Sequence, residues 1–455
     1  MDTQTNNNFQ GVAPLSPVNK LRKMLPFIVV AVVILAGAIV GAVALLRSRT
    51  GPNGGPDGTG DGIAELTYWG WSVDQQVMDD LIADFENQNP DIKVTYEKKA
   101  HDDYHKILKT RLLSGDSAVT PDVFESNNEF INDVFDALAH NTEISIPDVN
   151  QRFFPGASEV CVQGGMVVCY PLNFDGLVLI YNQEALNQAG QETIPDEWTD
   201  FRAWANALTD KRLVEIDGNE QWVVFSPGAA IGTGANVSHG DMLLWLMMMQ
   251  NGVSLDSPGE LEGMLSTEGV VAAELYISYY EDRVWDKSFS SDISAFLAGN
   301  VPVMFGTVAD VETILEADPA FSVLTVPPPQ IGGVKNLAHF QTMAVANSSP
   351  EQAAAWKWAD YLTSSDAQQQ LLESGLGGET GVSLPSRRDL QLDISRVPGM
   401  KSFEAIFLTS YPIFLPEYET ASADTISAIE AMILDESPLD PETALEELVE
   451  GLQSL

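Results

Sequence analysis

"ELTYWGWSVDQQVMDDLIADFENQNPDIKVTY", Glu65 to Tyr96, carries one complete unit of architecture. Leu66 and Tyr68 alternate with Glu65 and Thr67, the period of a half-buried strand. Ser72 followed three residues later by Gln75 forms a capping-box pattern, so a helix is predicted to begin there. Val77, Met78, Leu81, Ile82 and Phe85 then recur at helical spacing, Asn89-Pro90 stops the helix, and Ile92, Val94 and Tyr96 alternate again. A strand, a crossover helix and a second strand imply a parallel pair. Trp69 and Trp71 fall near the C-terminal end of the first strand, the edge at which open α/β sheets bind ligands.

The alternation continues downstream. Tyr104, Ile107, Leu108, Arg111 and Leu112 mark a helix ending near Gly115, and "PDVFES" is a short strand. "NFDGLVLIYN" is a longer strand, while "FRAWANALT" and "DMLLWLMMMQNG" are helices, the second capped by Gly252. "SAFLAGNVPVMFG" contains a helix end, a Gly-Asn turn and a strand. "FSVLTVPPP" is a strand stopped by prolines, and "TMAVA" is another. "PEQAAAWKWADYLTS" and "TALEELVEGLQSL" are helical.

At 455 residues the chain is long enough for two α/β lobes. The net charge of −42 argues against a nucleic-acid partner, because phosphate binding needs a basic face. It argues equally against docking onto anionic lipid headgroups, and predicts solubility and self-repulsion.

One segment differs. Leu25 to Leu46, "LPFIVVAVVILAGAIVGAVALL", contains no charged residue and meets the requirement of about 20 apolar residues for a membrane helix. Lys20, Arg22 and Lys23 precede it and Arg47 and Arg49 follow it, which favours a cytoplasmic N-terminus by three charges to two. A cleaved signal peptide is the alternative, with Ala42-Val43-Ala44 as its cleavage signal; the apolar run exceeds the usual length of about 7–15 residues, which favours an anchor. "TGPNGGPDGTGDG" after it reads as a flexible tether.

The chain's two cysteines lie in "CVQGGMVVC". A hairpin with Gly164-Gly165-Met166 as its loop would pair Gln163 with Val167 and set Cys161 opposite Cys169. Cβ atoms across such a pair lie about 4.5–5.5 Å apart, close enough for a disulfide after a small adjustment. A disulfide is expected over two buried thiols, given a domain outside the cell.

The chain resembles the extracellular solute-binding proteins of ABC importers, the maltose-binding-protein-like family. The resemblance runs from about Ala64 to the C-terminus, through "YWGW…LIADFENQNPDIKVTY", "DDYHKILKTRLLSGDSAVTPDVF", "YPLNFDGLVLIYNQEAL", "GNVPVMFG" and "LPSRRDL", in that order. It implies an α/β, two-lobed periplasmic-binding-protein-like fold of type II, with discontinuous lobes joined by a hinge and preceded here by a single transmembrane helix. The implied organisation is a cytoplasmic N-terminus (1–24), an anchor (25–46), a Gly-rich linker (47–63), one lobe of 64–173 plus 321–376 and a second of 176–317 plus 384–455. Crossings are expected near Asn173–Asp175, Ala317–Phe321 and Gly377–Leu384.

A sugar has apolar C–H faces and a ring of hydroxyls, so its site needs flat aromatics together with carboxylates, amides and hydroxyls. Trp69 and Trp71 are the first aromatic candidates, Trp71 the stronger because it lies nearer the loop. Asn127 and Asn128 follow a strand where the family resemblance implies polar contacts. Asp175 matches the position of an acidic sugar contact beside the hinge. Asn236 and His239 precede the methionine-rich helix, whose Trp245 reads as core. Where many sugar binders carry a tryptophan just after the Gly of "VMFG", this chain has Thr307 and Val308. Phe305, Phe340 or Tyr411 is expected to supply the missing wall.

"HDDYH", His101 to His105, approximates a zinc-protease pattern with Asp replacing Glu, but lacks a sequence-adjacent third ligand. "GTGANV" lacks the last glycine of a dinucleotide fingerprint, and no nucleophile elbow or Walker loop occurs. No cofactor, metal or catalytic residue is therefore expected. The expected function is delivery of a sugar to an ABC permease by a membrane-tethered receptor, monomeric in its outer part. The alternatives are a cell-surface carbohydrate-active enzyme, a ligand sensor, or a receptor of the same fold for polyols, glycerol phosphates or polyamines.

Overall fold

The first strand, β1 (Ala64–Gly70), buries Leu66 and Tyr68 and turns Glu65 outward, as its alternation dictates. In this computed structural model the described residues are 62–100, 103–255, 259–375, 384–390, 401–434 and 436–455. The expected N-terminus (1–24), the anchor (25–46) and all of the linker but Gly62 and Ile63 lie outside them. Among the described residues no helix is long and apolar enough to cross a membrane.

Helix α1 (Gln75–Gln88) follows, with Met78, Leu81 and Phe85 buried, and Asn89 caps its end. Its N-cap is Asp74, which accepts from the Gln76 amide at 2.8 Å, so the expected Ser72–Gln75 box does not form. Strand β2 (Ile92–Lys98) then pairs with β1 in parallel, Ala64 opposite Ile92. Helix α2 (Tyr104–Ser114) ends at Gly115 with φ 65°. Strand β3 (Val123–Asn127) lies on the other side of β1, also parallel, and leads straight into α3 (Asn128–Asp133).

Helix α4 (Pro155–Cys161) runs into the small hairpin β4 (Val162–Gln163) and β5 (Met166–Val167). The hairpin pairs Val162 with Val167 and Gln163 with Met166, so its loop is the two residues Gly164-Gly165, both at positive φ. This corrects the expected three-residue loop by one residue of register. The disulfide forms all the same, because Cys161 ends the helix and Cys169 starts the next strand, with Cα atoms 4.7 Å apart.

Strand β6 (Cys169–Gly176) belongs to the larger sheet; β7 (Val178–Asn182), directly after Leu177, is the centre of the smaller one. Between β7 and the next sheet strand lie α5 (Trp198–Leu208), an outlying hairpin β8 (Asp210–Ile216) and β9 (Asn219–Ser226), α6 (Gly240–Asn251) and α7 (Thr267–Glu281). Helix α6 is buried from Gly240 through Gln250, Trp245 included, and so forms the core of this half. Strands β10 (Val303–Gly306) and β11 (Val323–Val326) flank β7 antiparallel, with α8 (Val308–Glu316) between them in sequence.

The chain returns to the larger sheet as β12 (Asn336–Val345), antiparallel to both β3 and β6. Helices α9 (Gln352–Leu362) and α10 (Ser365–Gly375) pack on this half against α1. Strand β13 (Leu384–Pro385) pairs with β6, and β14 (Ser410–Tyr411) with β12. Helices α11 (Tyr418–Met432) and α12 (Pro441–Gln453) close the chain against α6 and α7 in the other half.

Among the described residues the chain passes between the sheets at Leu177 and across 327–335, and from the larger sheet to the helices of the other half across 412–417. The first follows the expected Asn173–Asp175 by a few residues, because the strand containing those residues stays in the larger sheet to Gly176. Ala317–Phe321 lies between α8 and β11, both on the smaller-sheet side, so the second passage comes later than expected. Leu384 pairs with Phe174 of the larger sheet, and the rest of the expected third passage, 377–383, lies outside the described residues.

Candidate functional site

The loop joining β1 to α1 is held from beneath by a carboxylate. Glu125 of β3 is fully buried and accepts from the Tyr68 hydroxyl at 2.6 Å and from the Trp71 and Ser72 amides at 3.0 Å each. Trp69 and Trp71 are both half-buried. The Lys99 ammonium lies 3.9 Å from the Trp69 ring centroid. The Trp71 ring rests on Tyr104 (4.8 Å) and His105 (5.3 Å), and His105 in turn on Phe130 (4.8 Å). His105 is thus packed among aromatics. His101 and Asp102 lie outside the described residues, and among the described residues no His, Cys, Asp or Glu group is placed to hold a metal.

The end of β3 brings two more expected residues. Asn127 caps α3, its side chain accepting from the Phe130 amide at 3.1 Å. Asn128 is fully buried; it donates to the Ile413 carbonyl and accepts from the Phe340 amide, both at 2.9 Å. The Asn128 amide, expected as a ligand contact, joins β12 to the 412–417 segment. Its neighbour Glu129, which no sequence motif marks, lies 2.9 Å from Nδ1 of His339, whose Nε2 lies 2.8 Å from the Tyr418 hydroxyl. Glu129 and His339 sit on the larger-sheet half and Tyr418 opens α11 of the other. Burial alone would lower the His339 pKa, but Glu129, then Asp175 and Asp241, outweigh it and hold the imidazole above its usual range. The Tyr418 hydroxyl is pushed well up by burial and by the same carboxylates.

Asp175, on β6 just before the first passage, accepts from the Val308 amide at the start of α8, at 2.8 Å. Burial raises its pKa to about 6 in spite of that bond. Two residues on, Asp310 closes a capping box with Thr307, accepting from its amide at 2.8 Å, and lies 2.6 Å from Nε2 of His239. The His239 pKa is lowered by burial and raised by Asp310, Asp241 and Asp175, and the net shift is upward. Asp310 is raised by burial but held below the usual carboxylate range by His239 and Thr307. Thr307 is itself largely buried, and Asp241, whose charge acts on both imidazoles, accepts from Ser422 at 2.6 Å.

Three further expected contacts are engaged within the protein. Asn236 accepts from Trp285 and Thr233 and donates to the Asp286 and Phe289 carbonyls, so loop closure engages its whole amide. Phe305 has no exposed surface and packs between Trp198 and Phe201; Phe340 likewise packs on Phe174. Both point into a sheet's covered face, where strand alternation put them. Tyr411 is half-buried, its backbone paired with Leu337 and the Lys335 ammonium 5.6 Å from its ring.

A family model described as bacterial extracellular solute-binding protein matches residues 69–369. No curated protein matches the chain. Solved structures with the same fold include the sugar-binding protein MalE of Xanthomonas citri, with TM-score 0.70 and 19% identity over 86% of this chain and 97% of that one. A cyclo/maltodextrin-binding protein solved with maltotetraose aligns with TM-score 0.69 and 16% identity over 88% of this chain and 98% of its own. An ABC substrate-binding protein from Listeria monocytogenes, solved with cycloalternan, gives 0.63 and 20% over 86% and 98%. At these identities the likeness is one of fold, while the family match covers most of the chain. The chain belongs to the bacterial extracellular solute-binding proteins, and its task is to bind a solute outside the cytoplasm.

Proposed function

We propose that this protein binds a carbohydrate between its two halves and passes it to an ABC import permease, tethered to the membrane by the apolar segment 25–46. The observation that carries this is the belt of polar groups at the passages. Glu129 and Asp175 are acceptors, His239 and His339 are donors, and the Tyr418 hydroxyl can act as either; they come from both halves. Alternating donors and acceptors suit a ring of hydroxyls, each of which gives and takes a hydrogen bond. Trp69, Trp71 and Tyr411 are the proposed flat walls, and Asn127, Asp175, His239 and Thr307 the proposed polar contacts, joined by Glu129, His339 and Tyr418. The sugars held by the structural neighbours, maltotetraose and cycloalternan among them, support this class of solute. The halves would close on the sugar by rotation about the passages between them. The tether would raise the receptor's concentration at the permease.

One observation favours a second solute class. Four carboxylates (Glu129, Asp175, Asp241 and Asp310) face two imidazoles here, which suits a polyamine. Calorimetric titration of the purified chain with maltotetraose, cyclic glucans and spermidine separates the two. The carbohydrate proposal expects saturable binding of one sugar, recovered chemically intact, weakened at least tenfold, about 1.4 kcal/mol, by Trp71→Ala and by Asp175→Ala. Binding of spermidine alone would overturn it in favour of the polyamine, and a hydrolysed sugar in favour of an enzyme.

A further inference from the structure

Glu125 is a buried carboxylate with no ion pair among the described residues. A carboxylate in that setting is expensive, and an apolar side chain would fill a central strand more cheaply. Its bonds converge on one short loop. Oε2 takes the consecutive amides of Trp71 and Ser72, and Oε1 takes the Tyr68 hydroxyl. Gly70 is bare at the point of passage: a Cβ there would lie 2.5 Å from Oε1. Two more tyrosines complete the cradle. Tyr104 donates to the Glu125 and Trp69 carbonyls, and Tyr96 donates to the Val73 carbonyl at 3.1 Å. Burial and the nearby Glu125 charge push all three phenols up, which keeps them protonated as donors. The loop Trp69–Val73 is therefore fixed along its whole length, and its outward product is the Trp71 ring on Tyr104 and His105.

We propose that Glu125 is a positioning residue for solute binding: it fixes the height and tilt of Trp71 before the solute arrives, so that no ordering of this loop is charged against affinity. This rests on Trp71 being a wall of the solute site.

The test is a double-mutant cycle on maltotetraose affinity in the full chain, using Glu125→Gln, Trp71→Ala and both together. Glutamine keeps the shape but loses the charge: its NH2 meets either the two loop amides, donor against donor, or the Tyr68 hydroxyl, which must then turn to accept. The expected result is a roughly tenfold weaker Kd for Glu125→Gln in the wild-type background and less than a twofold change in the Trp71→Ala background. Faster hydrogen exchange at the 71 and 72 amides should accompany it. Tyr68→Phe, which removes one bond and keeps the carboxylate, should shift affinity by a smaller factor in the same direction; it carries the test if Glu125→Gln does not fold. Equal weakening in both backgrounds would overturn the proposal, because the effect would not run through Trp71. An unchanged Kd with Trp71→Ala alone, or no binding of maltotetraose to the wild type, would instead overturn the site on which it rests and reduce Glu125 to an anchor of the loop.

Discussion

His239 and His339 each lie against a carboxylate, Asp310 and Glu129, at 2.6 and 2.9 Å, but the two pairs have different neighbours. The first stays within the smaller-sheet half, where Asp310 also caps α8. The second joins β12 of one half to Tyr418 of the other. The same chemistry thus completes a helix end in one place and reaches across a passage in the other. A pair of the first kind is local stability, whereas one of the second kind also registers how the halves sit.

Breaking the spanning pair should have the largest effect. Glu129→Ala would leave the half-buried His339 imidazole without its hydrogen-bond acceptor, at a cost of about 2 kcal/mol in urea unfolding. It should also weaken solute binding, whereas Asp310→Ala should lower stability by about 1–2 kcal/mol, through the lost cap, with less effect on affinity. Equal effects on affinity would erase the contrast between the two pairs.

The pH dependence sharpens it further. The Asp175 pKa is raised to about 6 in the folded chain, above the usual unfolded value of about 3.9. Its contribution to stability is therefore fully present below about pH 4 and is lost as pH rises through about 6. The stability difference between wild type and Asp175→Asn should accordingly fall by about 1 kcal/mol over that window and stay flat above it. Both histidines have raised pKa values, so their pairs likewise stabilise below the unfolded value near 6.5 and weaken as pH rises past it. A difference that grew with pH would contradict this assignment.

The smallest effect is expected at the surface. Lys109 of α2 lies 2.9 Å from both Asp133 and Glu417, another contact between halves, but an exposed one. Lys109→Met should change stability by less than about 0.5 kcal/mol, and the change should vanish in high salt.

The strand–helix–strand start, the glycine-capped helix at Gly252 and the cysteine pair were legible because each is set by neighbours within a few residues. The hairpin β8–β9 carried a local signal too, since Asp217-Gly218 turns with φ of 52° and 82° between alternating runs. Its strands are harder to read, because Leu213, Trp222 and Phe225 are exposed apolar residues, whose pattern does not mark a core. The site was less legible. Glu129 and His339 are 210 positions apart, and no local pattern announces such a pair. Asn128 and Asn236 looked like ligand contacts by residue type, but backbone groups from remote segments engage both. Phe305 and Phe340 have the residue type of a sugar-facing wall, but their packing on Trp198, Phe201 and Phe174 brings together segments far apart in sequence.

The central claim, that the two halves hold a sugar between them, is tested most directly by calorimetric titration of the full chain with maltotetraose. The account predicts one saturable site per chain, with intact sugar recovered afterwards and affinity at least tenfold weaker in Asp175→Ala. A flat titration, or binding that Asp175→Ala leaves unchanged, would contradict it.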